Sequence, residues 1–256
     1  MDNLQQKKLW ILDMDGTVYL GNQLFPETLP FLQRIRQNGA QYLFFTNNAS
    51  RAKDTYVQRL QGMGIPAGPE NILTSAETTI AFLKRHRAGQ SVYVVGTPDL
   101  IRSFEQAGIR VEEEAPIVVA SFDTTLTYDK LEKACRYIRE GAEFISTHPD
   151  YNCPVEGGFI PDSGAICALI TASTGKTPRY FGKPYEDTLE IIQEFTGVAR
   201  EDMVVVGDRL YTDIALGARH EVTSVLVLSG ETTEEDLHHS DVKPSLVVQN
   251  VGSLLA

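Results

Sequence analysis

The sequence predicts an α/β fold built on a doubly wound parallel sheet, with a second, smaller α/β domain inserted into it. Short apolar runs bounded by turn residues alternate with longer amphipathic stretches, as in parallel strands joined by crossover helices. Polar clusters follow three of these runs directly. The middle of the chain repeats the alternation without such clusters, as a separate domain would.

Four apolar runs are predicted to form strands of the main sheet, at residues 10–12, 41–45, 203–206 and 224–228. The first three end in the clusters Asp13-Met14-Asp15-Gly16-Thr17, Thr46-Asn47-Asn48 and Gly207-Asp208-Arg209. Ligands of open α/β sheets bind outside the carboxyl ends of the strands. We therefore expect the three clusters to converge on one pocket.

The middle block has its own strands and helices. Strands are predicted at residues 92–95, 117–120 and 144–146, and helices after Thr97-Pro98 and at residues 128–139 and 163–174. Thr97 is a good N-cap, and Pro98 suits the first position of a helix. The predicted architecture is a Rossmann-like core of residues 1–83 and 179–256, with an inserted α/β cap domain of residues 84–178.

Composition excludes several classes of protein. The chain of 256 residues carries a net charge of −11 and no run of Lys and Arg, so we expect no nucleic-acid partner. Its three cysteines lack CxxC spacing, which predicts reduced thiols and a cytoplasmic location. The first apolar stretch, residues 9–12, is too short for a signal peptide or a membrane span, so no membrane association is expected.

Asp13 and Asp15 stand two positions apart just after a predicted buried strand. A turn that begins at Asp13 can bring both carboxylates to one site, with Gly16 permitting the turn and Thr17 capping it or bonding a phosphate oxygen. Carboxylates this close need a cation or a shared proton, and hard oxygen ligands suit Mg²⁺. An acidic turn with no catalytic role is the alternative at this point.

The Asp13-Met14-Asp15-Gly16-Thr17 segment resembles the first signature of haloacid dehalogenase superfamily phosphatases. Thr46 resembles the second signature, Lys183 in Gly182-Lys183-Pro184 the third, and the segment from Gly207 to Asp213 the fourth, in the same order along the chain. Together with Thr74-Ser75-Ala76 and a cap after the second signature, the chain is similar to the NagD or nitrophenylphosphatase-like branch.

This resemblance implies a Mg²⁺-dependent phosphatase for small phosphate monoesters, such as nucleotide monophosphates, sugar phosphates and 4-nitrophenyl phosphate. Asp13 would attack phosphorus and form an aspartyl phosphate, while Asp15 would donate and later accept a proton. Mg²⁺ would be held by the carboxylates of Asp13 and Asp208 and by the backbone carbonyl of Asp15.

The resemblance assigns further roles around the phosphoryl group. Thr46 and the backbone N–H of Asn47 would bond its oxygens, and Lys183 would pair with Asp13 and the phosphate. Asp213 is expected to orient metal-bound water or Lys183, with a simple N-cap as the alternative. In the cap, a loop is predicted at residues 147–154, and its His148 and Asp150 are candidates for contact with the leaving group. Related sequences often have Asn at position 148, and His148-Pro149-Asp150 suits a rigid turn equally well.

Two other functions are disfavoured by the sequence. A phosphomutase is disfavoured, because the 24 residues 18–41 between the Asp pair and the second signature leave no room for the helical cap that such mutases carry there. A non-catalytic metabolite-binding or regulatory protein of the same fold is disfavoured, because loss of catalysis would be expected to remove at least one of four residues that are all present: Asp13, Asp15, Lys183 and Asp208. The expected partner is a small phosphate ester, and a homodimer through the cap is a further hypothesis.

Overall fold

The computed structural model describes residues 4–155 and 157–255. The chain forms two compact units, each made of segments that are not contiguous in the sequence. Unit 1 consists of Met1–Thr46, Tyr56–Leu73 and Lys183–Ala256, and unit 2 of Asn47–Thr55 and Thr74–Gly182. Unit 2 includes residues 47–55, 74–83 and 179–182, which are predicted from the sequence to belong to the core. The core and cap boundaries stay predictions.

The strands and helices follow each other in α/β alternation. The strands are β1 Leu9–Leu12, β2 Tyr19–Leu20, β3 Gln23–Leu24, β4 Gln41–Thr46, β5 Ile72–Thr74, β6 Val92–Val95, β7 Ile117–Ala120, β8 Glu143–Ser146, β9 Asn152–Val155, β10 Gly158–Pro161, β11 Arg179–Tyr180, β12 Met203–Gly207, β13 Thr223–Val227 and β14 Leu246–Val248. The helices are α1 Thr28–Gln37, α2 Lys53–Gly62, α3 Ser75–His86, α4 Pro98–Gln106, α5 Tyr128–Arg139, α6 Ser163–Thr174, α7 Glu186–Thr196, α8 Ala215–Arg219 and α9 Glu234–His239.

Unit 1 is built on a six-stranded sheet in the order β14-β13-β12-β1-β4-β5. The central strand β1 runs parallel to both neighbours, with Leu12 opposite Val206 and Phe44. All four residues of β1 are buried, as expected for a strand covered on both faces. This register brings the carboxyl ends of β1, β4 and β12 to one edge of the sheet.

The core of unit 1 lies on both faces of this sheet, because successive side chains of a strand point to opposite sides. Trp10 and Leu12 belong to a buried cluster with Phe31 of α1 and Leu60 of α2. The ring of Trp10 meets that of Phe31 edge to face, with the centroids 5.4 Å apart. Burial of each such side chain contributes about 1.5–3 kcal/mol to folding, so the packing fixes β1 and the residues that follow it.

Unit 2 contains a second sheet, in the order β11-β8-β7-β6, with parallel pairing of β6 with β7 and β7 with β8. The elements predicted for the middle block are found here, and Thr97 caps α4 by accepting a hydrogen bond from the N–H of Leu100. The α/β class, with a parallel core sheet and a second α/β unit, is confirmed. No helix among the described residues is long and apolar enough to cross a membrane.

One part of unit 2 differs from the prediction. The segment 147–154 was expected to be a loop, but its end forms β9, which pairs antiparallel with β10. The apolar pattern here is short and interrupted by Pro154, and pairing with β10 rather than periodicity makes the strand. Gly157, at φ +85°, supplies a backbone conformation that other residues rarely adopt between the two strands.

Candidate active site

Three carboxylates meet at the carboxyl edge of the unit 1 sheet. Ligand oxygens of Asp13, Asp208 and Asp213 all lie within 4.8 Å of one another. Asp13 directly follows β1 and is held there by its backbone N–H, which donates to the carbonyl of Val206 over 2.9 Å. Asp208 and Asp213 are buried. Like charges packed this closely repel each other, so the cluster requires positive charge nearby.

Lys183 supplies one such charge. Its Nζ lies 2.6 Å from Asp13 Oδ1 and 2.6 Å from Asp213 Oδ1, and it donates to the carbonyl of Phe45 over 3.1 Å. The side chain is only 3% exposed. Burial lowers the pKa of Lys183, but the two carboxylates raise the pKa by more, so the net shift is upward and the amine stays protonated.

Asp208 is the carboxylate best placed to bind a cation. Its Oδ2 accepts a hydrogen bond from the N–H of Glu231 over 2.7 Å. Its Oδ1 is buried and has no hydrogen-bond partner among the described residues. Burial, followed by the charges of Asp13 and Asp213, raises the pKa of Asp208 to about 8. A buried carboxylate oxygen without a donor calls for a compensating group, and a hard cation such as Mg²⁺ fits this set of oxygens.

Asp15 lies on a tight turn after β1. The turn is closed by hydrogen bonds from Gly16 N–H to Tyr19 O, over 2.7 Å, and from Val18 N–H to Met14 O, over 2.9 Å. Burial and then the charge of Asp13 raise the pKa of the Asp15 carboxyl. The protonated form is thereby favoured, which suits a group that must deliver a proton.

Two glycines allow the carboxylates to approach. Gly16 has φ +85°, and a Cβ on it would lie 2.3 Å from Asp208 Oδ2. A Cβ on Gly207 would lie 2.2 Å from the Cγ of Asp213. The turn predicted at Gly16 is present; close packing requires both glycines, and backbone shape also requires Gly16.

The remaining residues predicted for the phosphoryl group are divided between the units. Thr46 ends β4 in unit 1 and is buried. Thr17 is fully buried, and its Oγ1 has no hydrogen-bond partner among the described residues. Asn47 lies in unit 2, where its Nδ2 donates to Asp150 Oδ1 over 3.1 Å. The roles of the Thr46 and Thr17 side chains and of the Asn47 backbone N–H in binding phosphate stay predictions.

Contacts within unit 2 hold His148 firmly. The residue is fully buried, with Nε2 2.8 Å from Asp162 Oδ1 and Nδ1 2.9 Å from Thr147 Oγ1. Asp162 also caps α6 by accepting a hydrogen bond from the N–H of Ser163. These bonds give His148 a structural role, and the predicted contact of His148 and Asp150 with the leaving group stays a prediction.

Asp213 is not a simple N-cap. It lies in a π-helical segment, Leu210–Ile214, and its Oδ2 accepts from the backbone N–H of Arg209 over 3.3 Å while its Oδ1 meets Lys183. Burial, then Asp13, raises the pKa of Asp213 to about 6, against the opposing effect of Lys183. Asp213 therefore contacts Lys183, and the role that the resemblance implies for it, orienting metal-bound water or Lys183, stays a prediction.

Sequence reasoning missed one segment of the site, the loop after β13. Ser229 Oγ donates to the carbonyl of Gly16 over 2.8 Å, and Glu231 and Thr232 donate backbone N–H groups to Asp208. The available signal was a polar Ser-Gly-Glu-Thr-Thr run directly after the predicted strand at residues 224–228. It follows a strand as the three predicted clusters do, and it reaches the same edge of the sheet.

Known proteins share both the sequence pattern and this fold. A family model of haloacid dehalogenase-like hydrolases matches residues 10–110, and a HAD-hydrolase-like model matches residues 180–254. An acid sugar phosphatase of Staphylococcus aureus is 32% identical over 255 residues, which cover 99% of this chain and 98% of that protein.

Solved structures extend the similarity. A 4-nitrophenylphosphatase from Thermotoga maritima has a TM-score of 0.96 at 43% identity, covering 99% of this chain and 98% of that one. NagD from Escherichia coli K-12 has a TM-score of 0.89 at 31% identity, covering 96% and 98%. Family models, relatives and structures agree along the chain. The chain therefore belongs to the haloacid dehalogenase-like hydrolases, and within them to the NagD-like phosphatases.

Proposed function

We propose that this protein is a Mg²⁺-dependent phosphatase that hydrolyses small phosphate monoesters through an aspartyl phosphate on Asp13. The observation that carries the proposal is the contact of Asp13 with Lys183 in the cluster that also holds Asp208, whose buried Oδ1 has no hydrogen-bond partner among the described residues. The relatives named as acid sugar phosphatase and 4-nitrophenylphosphatase support sugar phosphates and 4-nitrophenyl phosphate as substrates.

In the first step, an Asp13 carboxylate oxygen forms a bond to phosphorus while the bond from phosphorus to the ester oxygen breaks. Asp15, whose pKa is raised, gives its proton to that leaving oxygen. In the second step, Asp15 takes a proton from water, the water oxygen bonds to phosphorus, and Asp13 is released as a carboxylate. The division into two displacements lowers each barrier.

Lys183 prepares Asp13 for attack. The 2.6 Å contact between Lys183 Nζ and Asp13 Oδ1 orients the carboxylate and leaves its second oxygen for phosphorus. Asp213 holds the ammonium from the other side. Bonds between buried groups of this kind preserve the geometry through both steps.

The metal would be held by the carboxylates of Asp13 and Asp208, with the backbone carbonyl of Asp15 as the third protein ligand. When bound, Mg²⁺ supplies positive charge that neutralises the transferring phosphoryl group. Asp208 contributes the buried Oδ1 that has no hydrogen-bond partner among the described residues. The hard oxygen donors of the cluster match the preference of Mg²⁺.

The proposal is tested by phosphate release from sugar phosphates, nucleotide monophosphates and 4-nitrophenyl phosphate, with Mg²⁺ and with excess chelator. We expect Mg²⁺-dependent release that Asp13→Asn reduces about 10⁴-fold or more. Asp129→Asn is the matched control, since this aspartate lies on α5 with its side chain 68% exposed. Release that persists in Asp13→Asn, or folded wild-type protein that is inactive on the whole panel, would overturn the proposal.

A further inference from the structure

The loop of residues 229–232, which follows β13, joins two parts of the candidate site. Ser229 Oγ donates to the carbonyl of Gly16 over 2.8 Å. The N–H of Glu231 donates to Asp208 Oδ2 over 2.7 Å, and the N–H of Thr232 to the Asp208 carbonyl over 3.2 Å. The loop therefore holds both the side chain and the backbone of Asp208 and touches the turn that carries Asp15.

Packing around Gly230 is tight enough to fix Asp208. A Cβ on Gly230 would lie 2.0 Å from Asp208 Oδ2, and a Cβ on Gly16 would lie 3.1 Å from the Cα of Gly230. No side chain fits between the loop and the carboxylate. Gly230 thus sets where the Asp208 carboxylate can lie.

The side chain of Glu231 acts on the neighbouring arginine. Its Oε2 lies 2.9 Å from Arg209 Nε, and its Oε1 accepts a hydrogen bond from the Tyr211 hydroxyl over 2.9 Å. Arg209 directly follows Asp208 in the chain, and the Arg209 side chain is 15% exposed. A guanidinium beside a metal-binding carboxylate competes with the cation for that carboxylate. Glu231 offers Arg209 another carboxylate as its partner.

We propose that the 229–232 loop positions Asp208 for the cation and that Glu231 is a positioning residue for this reaction. The backbone N–H of Glu231 occupies Asp208 Oδ2, the Glu231 carboxylate engages Arg209, and Asp208 Oδ1 is left for Mg²⁺. Partners that orient a metal ligand in this way are typically worth 10- to 100-fold in metal affinity. The inference rests on the proposed Mg²⁺-dependent function.

The test measures Mg²⁺ binding by titration calorimetry without substrate, for the wild type, Glu231→Gln, Glu231→Ala and Gly230→Ala. Gly62→Ala is the matched control, because a Cβ there meets nothing within 4 Å. We expect about 10-fold weaker binding in Glu231→Ala and up to about 100-fold weaker binding in Gly230→Ala. Glu231→Gln retains an acceptor for Tyr211 but loses the charge that engages Arg209, and should fall between wild type and Glu231→Ala.

A second measurement separates positioning from loss of fold. In 4-nitrophenyl phosphate assays, the Glu231 variants should need about 10-fold more Mg²⁺ for half-maximal rate and recover most of kcat at saturating Mg²⁺, with KM for the ester little changed. Wild-type protein that binds no Mg²⁺ would end the proposed function itself. The positioning role alone would be overturned if the wild type binds Mg²⁺ and the Mg²⁺ affinities of Glu231→Gln and Glu231→Ala both lie within twofold of that of Gly62→Ala. This outcome holds even if Gly230→Ala does not fold.

Discussion

Replacing Lys183 by Met tests the electrostatic core of the site. Lys183 lies 2.6 Å from both Asp13 and Asp213, with a side chain 3% exposed. Asp213 is 1% exposed and Asp13 14% exposed, so neither carboxylate can gain much hydration when the ammonium is lost. Methionine has a similar length and no charge, so the substitution removes the ion pairs with little change in packing.

The size of the effect follows from burial. Removing one partner of a buried ion pair costs about 3–5 kcal/mol, because the remaining charge is left uncompensated in a poorly solvated site. Asp13 is partly hydrated, and Asp213, whose pKa burial raises to about 6, can take up a proton, so we expect a loss near the lower end, about 3 kcal/mol at pH 7. Lowering the pH to 5 should restore part of the loss, since protonation relieves the repulsion.

The assay is urea unfolding in excess chelator, with Lys8→Met as the matched control. Lys8 makes an ion pair of similar length, 2.7 Å to Asp202, but its side chain is 68% exposed. Exposed pairs of this kind contribute little to stability, because water screens them. The reasoning is refuted if the two variants lose the same free energy of unfolding, or if the Lys183→Met loss does not depend on pH.

Three other outcomes follow from the site geometry. Asp15→Asn should slow steady-state hydrolysis roughly 100- to 10,000-fold, with a burst of 4-nitrophenol seen by stopped-flow absorbance, since that leaving group needs no proton; unchanged turnover would exclude the acid–base role. In chelator, the free energy of unfolding should fall by on the order of 3 kcal/mol from pH 5 to 8. Burial raises the folded-state pKa of Asp208 to about 8 and of Asp213 to about 6, so protonation of these carboxyls stabilises the fold at low pH, and this stabilisation is lost as pH rises. Saturating Mg²⁺ should reduce this pH dependence in urea titrations. A free energy of unfolding that rises with pH in chelator would contradict the prediction. Gly16→Ala should weaken Mg²⁺ binding in calorimetry far more than Gly39→Ala, because both have positive φ but only a Cβ at Gly16 meets Asp208; equal effects would leave backbone strain as the whole cause.

Much of the fold could be predicted because its strands carry strong local signals. The runs at residues 92–95 and 117–120 are strands with the predicted bounds, and the helices at residues 128–139 and 163–174 also match. Buried parallel strands are apolar throughout, and their helices begin at recognisable caps. Sequence pattern alone therefore places the strand ends at which Asp13 and Asp208 lie.

Features that depend on pairing or on distant contacts could not be predicted. The hairpin of β9 and β10 depends on antiparallel pairing, and a segment that contains Pro154 gives no sequence pattern that predicts this pairing. Burial of His148 depends on Asp162, fourteen residues further along the chain. The hold of the 229–232 loop on Gly16 spans more than two hundred residues, so no local pattern at either end records it.

The charge balance at the site explains how an acidic chain can handle an anionic substrate. The cluster holds three carboxylates, of which Asp13 and Asp213 contact the ammonium of Lys183, so negative charge prevails among these groups and the cluster by itself would repel a phosphate group. Burial, and after it this repulsion, raises the pKa values of Asp15, Asp208 and Asp213, so the site favours protons on these carboxyls. A divalent cation bound at Asp208 would remove that preference and make the site attractive to phosphate. The ammonium of Lys183 already contacts Asp13 and Asp213, so Lys183 alone does not offset the charge of a phosphate group. This is the physical reason to expect that metal and substrate bind together.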